Sequence, residues 1–150
     1  MIIRECTDTN DSDWLELRRE FIPELGLQEQ ADFLQAFAHQ SAGFVAFIAS
    51  DEQGRPSGFA EVSIRTDFVN GCRHRPVLYL EGIYVRPELR GQGVARAICA
   101  AAEDWGRAQG CREFASDVYL DDHRSLAAHA GLGFVEMERV ACLCKPLFPD

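Results

Sequence analysis

The sequence predicts an α/β fold of the α+β kind: one domain spanning residues 1–150, with a mixed sheet flanked by helices. Three features carry that expectation. Two helical stretches precede a run of adjacent strands, and apolar and polar residues alternate along 57–65 within that run. An apolar strand at 77–85 then passes through a polar, glycine-bearing turn into an alanine-rich helix, which supplies one crossover. The expected order is β-α-α-β-β-β-α-β-α-β-β.

Each element follows from local chemistry. Capping residues Asn10 to Asp13 precede Trp14, Leu17 and Phe21 at helical spacing, and Pro23 closes the first helix. Residues 28–40 repeat the pattern with Ala31, Phe33, Leu34 and Phe37 before Gly43 ends the second helix. The stretches 44–50 and 57–65 read as strands around the turn "DEQGRP". In the latter strand Ala60, Val62 and Ile64 alternate with Glu61, Ser63 and Arg65, so one face is expected dry and the other polar. After the loop "TDFVNGCRHRP", the strand "VLYLEGIYV" contains Gly82 behind Glu81, the mark of a bulge or a close backbone approach. Residues 94–109 gather Val94, Ile98, Ala101, Ala102 and Trp105 on one helical side, and Gly110 stops them. "REFASDVYL" is expected as a further strand, "DDHRSLAAHAGLG" as a capped helix and "FVEMERVACLCKPL" as a terminal strand pair.

Composition narrows the function. The chain of 150 residues, 47% hydrophobic, is long enough to bury a core of its own. Fifteen Lys and Arg against 24 Asp and Glu leave a net charge of -9, which disfavours nucleic acid and anionic membranes and favours a cationic partner. No basic-then-apolar leader opens the sequence and no run of about 18 apolar residues occurs, so a cytosolic protein is expected. Six cysteines lack any C-x-x-C spacing and the four histidines are scattered, so reduced thiols and no metal site are expected. None of the cysteines neighbours a recognisable base, which removes support for a covalent acyl-enzyme.

The turn "RGQGVA", residues 90–95, sits where a strand hands over to a helix. A helix start presents backbone N–H groups without intrahelical partners and about half a positive charge, and glycines let a ligand approach the chain. Phosphate or pyrophosphate is the natural guest. The stretch is neither a Walker loop, lacking Lys-Ser/Thr, nor the dinucleotide fingerprint, since Arg96 stands in place of the third glycine. A plain connecting turn is the other reading of these six residues.

Arg90-x-x-Gly93-x-Ala95 in this setting resembles the acyl-CoA signature of the GNAT N-acetyltransferases, and "DDHRSLAAHAGLGFVE" resembles that family's second motif. The element order matches the family over essentially the whole chain. The resemblance implies a central, mostly antiparallel sheet splayed between its fourth and fifth strands and flanked by helices. Within the family, "DFVNGC", "PVLYLEGIYV" and "CREFASD" resemble the aminoglycoside 6'-N-acetyltransferases, and "IPELG" sits where that branch carries part of its drug-binding loop.

What the resemblance implies can be set out residue by residue. Acetyl-CoA is the co-substrate, with no metal. Backbone groups of Arg90, Gly91, Gln92, Gly93, Val94 and Ala95 hold its pyrophosphate, main-chain groups of Ile83 and Val85 pair with the pantetheine arm, and Asp122 and Ser125 belong to the second motif. Glu81 and Asp117 flank the opening of the sheet, where they orient an ammonium group and pass its proton to water. The plain alternative leaves Glu81 on a polar sheet face and Asp117 as a loop cap. For the leaving thiolate, His129 stands where the family usually has tyrosine; His129, Tyr119 or water is the proton donor. Candidate acceptor contacts beyond Glu81 and Asp117 are Glu24, Asp67, Phe68 and Glu136. Direct transfer in a ternary complex and a homodimer complete the expectation.

Two rival readings stay open: acetylation of a polyamine, another small amine or a protein amine, and a non-catalytic acyl-CoA-binding module.

Overall fold

The computed structural model describes residues 1–148. The chain divides into two compact units, Met1–Asp117 and Val118–Asp150. The first holds a five-stranded sheet in the order β1-β2-β3-β4-β5, with β1 Ile2–Cys6, β2 Phe44–Ser50, β3 Pro56–Arg65, β4 Val77–Val85 and β5 Phe114–Ala115. The first three pairings are antiparallel and the last is parallel. Three helices cover this sheet: α1 Ser12–Phe21, α2 Leu27–Gln40 and α3 Val94–Ala108.

Helix α1 starts at Asp11, whose carboxylate accepts from the Trp14 N–H at 3.0 Å. Arg4 of β1 reaches both Asp11 and Asp13, at 2.8 and 3.0 Å, and so ties the first strand to the start of the helix. The inward face of α1 is Trp14, Leu17 and Arg18, one helical stripe. With Leu34 of α2 and Ala46, Ile48 and Phe59 of the sheet, Trp14 and Leu17 form one core cluster. Full burial of a leucine or phenylalanine contributes about 1.5–3 kcal/mol.

Helix α3 lies on the opposite face. Its residue Gly106 packs so tightly that an added Cβ would come within 2.7 Å of Leu78 Cδ2. Trp105 meets Phe47 edge-on, with ring centroids 6.4 Å apart. Both faces of β3 are therefore covered, so its expected polar face is present and lies largely buried. Glu61 and Ser63 retain only 3% and 2% of their exposure. Glu61 accepts from Trp14 and Arg18, and Ser63 donates to Glu81.

The register between β3 and β4 shifts at Glu61/Val62: Glu61 pairs with Gly82 and Val62 with Leu80, leaving Glu81 as the extra residue. The bulge read from Gly82 is present. The parallel pairing of β4 and β5 covers only Leu78↔Phe114 and Tyr79↔Ala115. The expected strand "REFASDVYL" is thus reduced to two residues, and beyond Tyr79 β4 has no ladder partner on that side within the unit. The sheet parts there.

The second unit contains α4, His123–Gly131, capped by Asp122, whose side chain accepts from the Ser125 N–H at 2.9 Å. The expected terminal strand pair is absent among the described residues: 134–148 form no strand and are almost wholly exposed. A strand needs a ladder to satisfy its N–H and C=O groups, and this unit contains no sheet for the segment to join. Cys142 and Cys144 are exposed free thiols in that segment.

Candidate active site

Three local devices meet in the first unit. The first is the turn before α3. Gly91 and Gly93 have φ of 75° and 84°, a left-handed conformation that favours glycine, and nothing lies within 4 Å of where their Cβ atoms would be. Gly93 begins α3 without a side-chain cap. The start of the helix is thus open on the outside, and its leading amides have no intrahelical acceptor. Gln92 braces the turn by donating to the Glu88 carbonyl at 3.0 Å. Arg90 turns inward: its Nε donates to the Val85 carbonyl at 2.9 Å and its guanidinium lies 5.8 Å from the Tyr84 ring centre. This geometry fits a pyrophosphate held by main-chain groups, with Arg90 shaping the turn.

The second device is the bulge. Glu81 accepts from Ser63 Oγ at 2.5 Å and from Arg65 Nη2 at 3.0 Å. Arg65 also lies over Tyr79, 3.4 Å from the ring centre. Burial first, then the charge of Asp117, push the Tyr79 hydroxyl's pKa above the ordinary phenol range. Arg65 thus links Glu81 to Tyr79, and Asp117 makes its charge felt at the same tyrosine, at the point where β4 and β5 separate.

The third device lies beside it. Glu61 accepts from the Trp14 indole at 2.7 Å and pairs with Arg18 at 2.5 Å, with both charged side chains buried. Burial pushes the Glu61 carboxyl up, and Arg18 and Trp14 pull it back. Gln30 completes the array, accepting from Arg18 Nε at 2.9 Å and donating to the Ile22 carbonyl at 2.9 Å. Phe21, Phe33, Phe37 and Phe44 wall a cavity of about 130 Å³ whose charged lining is Arg18, Glu61 and Glu81. The cavity is smaller than an ordinary ligand cleft of roughly 300–1,000 Å³, and it brings aromatic rings and the Glu81 carboxylate to one concave patch. A larger and more open depression of about 810 Å³, lined by residues including Asp32 and His39, shares no residue with it.

Other predicted positions stand apart from this network. Glu24, Asp67 and Phe68 are exposed on loops of the first unit, Phe68 at 68%. In the second unit Tyr119 is 85% exposed, and Glu136 is exposed and paired with Arg139. Asp122 serves as the α4 cap. His129 Nδ1 lies 2.8 Å from the Ser125 carbonyl, so that nitrogen must carry the proton, and the ring packs on Phe134 at 5.3 Å. Ser125 Oγ is 3.4 Å from the same nitrogen.

Sequence reasoning missed Arg18, Gln30, Glu61, Ser63, Arg65 and Tyr79. The alternation of Glu61, Ser63 and Arg65 was the available signal; it marks a polar face without naming the partners that cover it. Among the described residues no group of His, Cys, Asp and Glu is placed to hold a metal, and no helix is long and apolar enough to cross a membrane.

A mixed sheet that parts beside a glycine-turned helix start places the protein in the α/β class, with an open helix start suited to an anion. Residues 11–134 match the model of the acetyltransferase (GNAT) family, and the chain belongs to that family. An aminoglycoside N(6')-acetyltransferase type 1 of Stenotrophomonas maltophilia is 43% identical, covering 99% of this chain and 95% of its own. Its namesake in Klebsiella aerogenes is 40% identical, with 97% of each covered. The structure of AAC(6')-Iy in complex with the bisubstrate analogue CoA-S-monomethyl-acetylneamine superposes with a TM-score of 0.86 at 39% identity, covering 97% of both chains. AAC(6')-Ih from Acinetobacter baumannii superposes equally well, TM-score 0.86, at 35% identity, covering 98% of this chain and 99% of its own.

Proposed function

We propose that the protein transfers the acetyl group of acetyl-CoA to the 6'-amine of aminoglycosides and so confers resistance to them. The observation that carries the reading is 43% identity along 99% of the chain to an aminoglycoside N(6')-acetyltransferase. The aromatic cavity with Glu61 and Glu81 in its lining supports a cationic sugar as acceptor. The net charge of -9 supports it too, because a polyammonium ligand is drawn to an acidic protein.

Acetyl-CoA, when bound, supplies an acetyl thioester. The main chain of 90–95 would hold its pyrophosphate, the main chain of Ile83 and Val85 would run beside its pantetheine arm, and Asp122 and Ser125 of the second motif would line the same ligand. The chain's own task is then to position an amine and remove its proton. Glu81 and Asp117 orient the ammonium group and relay its proton to water. Proton return to the leaving sulfur falls to Tyr119, His129 or water; a thiol, with a pKa near 8.5, leaves readily and asks little of the protein. Glu24, Asp67, Phe68 and Glu136 are proposed outer contacts of the acceptor.

Transfer is direct, in a ternary complex, within one catalytic domain. A cytoplasmic homodimer is part of the same reading, supported by the exposed apolar side chains Val135, Met137, Val140, Leu143 and Leu147.

Thiol release from acetyl-CoA on adding kanamycin or tobramycin tests the proposal. Drug-dependent release is expected. Release only with polyamines or protein amines would favour the rival acetyltransferase, and CoA binding without any release would leave a binding module.

A further inference from the structure

Glu81 is held by more donors than an orienting carboxylate requires. Its Oε1 accepts from Ser63 Oγ at 2.5 Å and from Arg65 Nε and Nη2 at 3.2 and 3.0 Å, while Oε2 accepts only from Arg65 Nη2 at 3.0 Å. A carboxylate offers about four lone-pair positions. Oε1 is saturated, and Oε2 keeps room for one further donor.

The charged groups around Glu81 come from several elements. Arg65 and Glu61 project from β3, Tyr79 from β4, Arg18 from α1, and Asp117 follows β5. Helix α2 adds Phe33 and Phe37 to the cavity, and its buried Gln30 is neutral. Glu61 is already matched by Arg18. Arg65 is thus the cation that offsets Glu81, and it does so from the rim: its side chain is 41% exposed against 14% for Glu81.

An amine attacks only after losing its proton. A bare carboxylate beside an ammonium would bind it tightly and hold that proton in place, because an adjacent opposite charge favours the charged form. A carboxylate shared with a guanidinium still orients the group but raises its pKa less. We infer that Arg65 is a positioning residue: it fixes Glu81 with one oxygen open and trims its charge, so that the site holds the acceptor amine without locking it as ammonium. This rests on the acetyltransferase reading above.

The test compares Arg65→Met and Arg65→Lys with the unaltered enzyme in steady-state acetylation of kanamycin between pH 5.5 and 9. Arg65→Met is expected to lower the acceptor KM severalfold, and to move the acid limb of kcat upward by about one pH unit. Arg65→Lys, which restores the charge, is expected to return that limb toward its original place. An acid limb unmoved in Arg65→Met, or a uniform loss of kcat at every pH, would overturn the inference. CoA binding checks that the variants are folded; failure of Arg65→Met and of a second variant, Arg65→Gln, to fold would also overturn it, giving Arg65 a structural task. If the unaltered enzyme ignores aminoglycosides, the acceptor assignment alone falls. The same comparison with spermidine then decides the role of Arg65, and no turnover with either amine sinks both.

Discussion

Arg18 of α1 and Glu61 of β3, 43 residues apart in sequence, form an ion pair in the interior, and Trp14 donates to the same carboxylate. The pair fixes α1 across the sheet and forms part of the wall beside Glu81. A buried pair stabilises little relative to apolar packing, yet removing one partner strands the other.

Glu61→Gln should therefore destabilise the fold by about 3–5 kcal/mol, by leaving the Arg18 charge buried and uncompensated. Urea unfolding of Glu61→Gln and of the double variant Arg18→Met/Glu61→Gln checks this. The double variant should recover a substantial part of the loss; an additive result would mean that the two side chains do not act as a pair.

Gly93→Asp should abolish measurable CoA binding, or weaken it at least tenfold, while leaving the far-ultraviolet spectrum unchanged. The substitution forces an L residue to φ of 84° and sets a negative charge at a helix start. Calorimetry with CoA is the measurement, and unchanged affinity would remove the turn from the site.

Asp117→Asn should lower kcat/KM by a factor of about 10²–10⁴, the usual contribution of a proton-transfer group, with the protein still folded. Near-normal turnover would reduce Asp117 to a charged neighbour of Tyr79.

His129→Phe should keep the alkaline limb of the kcat profile. Nδ1 is committed to the Ser125 carbonyl, so the neutral ring has no second N–H to give, and it would have to be imidazolium to serve as an acid. Disappearance of that limb would identify His129 as the donor.

Thiol labelling should divide the cysteines. Cys142 and Cys144 are exposed and should react first with a disulfide reagent at pH 7.5. Cys99 should stay unreacted until the protein unfolds, since burial, with a smaller push from Glu103, raises its thiol to about 12. Rapid modification of Cys99 in the native protein would contradict its packing on the inner face of α3.

Much of this architecture was legible in the chain. Capping at Asp11, the stripe Trp14, Leu17, the bulge behind Glu81 and the helix start at Gly93 are local events, written in side-chain volume, hydrogen-bonding groups and glycine's backbone freedom. Glu81 and Asp117 were found because each belongs to a short stretch with a recognisable neighbourhood. The terminal strand pair was expected from its apolar alternation, yet alternation describes a strand's faces and is silent about whether an edge exists to pair with. The strand at 112–120 shrank to Phe114–Ala115 for the same reason, since its partner β4 offers a parallel register only at Leu78 and Tyr79.

The sequence by itself determined the order of elements as far as α4 and the glycine turn, because those depend on residues near one another along the chain. Only the tertiary structure decided that Glu61 and Ser63 are buried while Arg65 stays at the rim. Their partners Trp14, Arg18 and Glu81 arrive from other elements, and a polar side chain is worth burying only where such partners converge. That convergence leaves Glu81 clamped, half-neutralised and open at one oxygen.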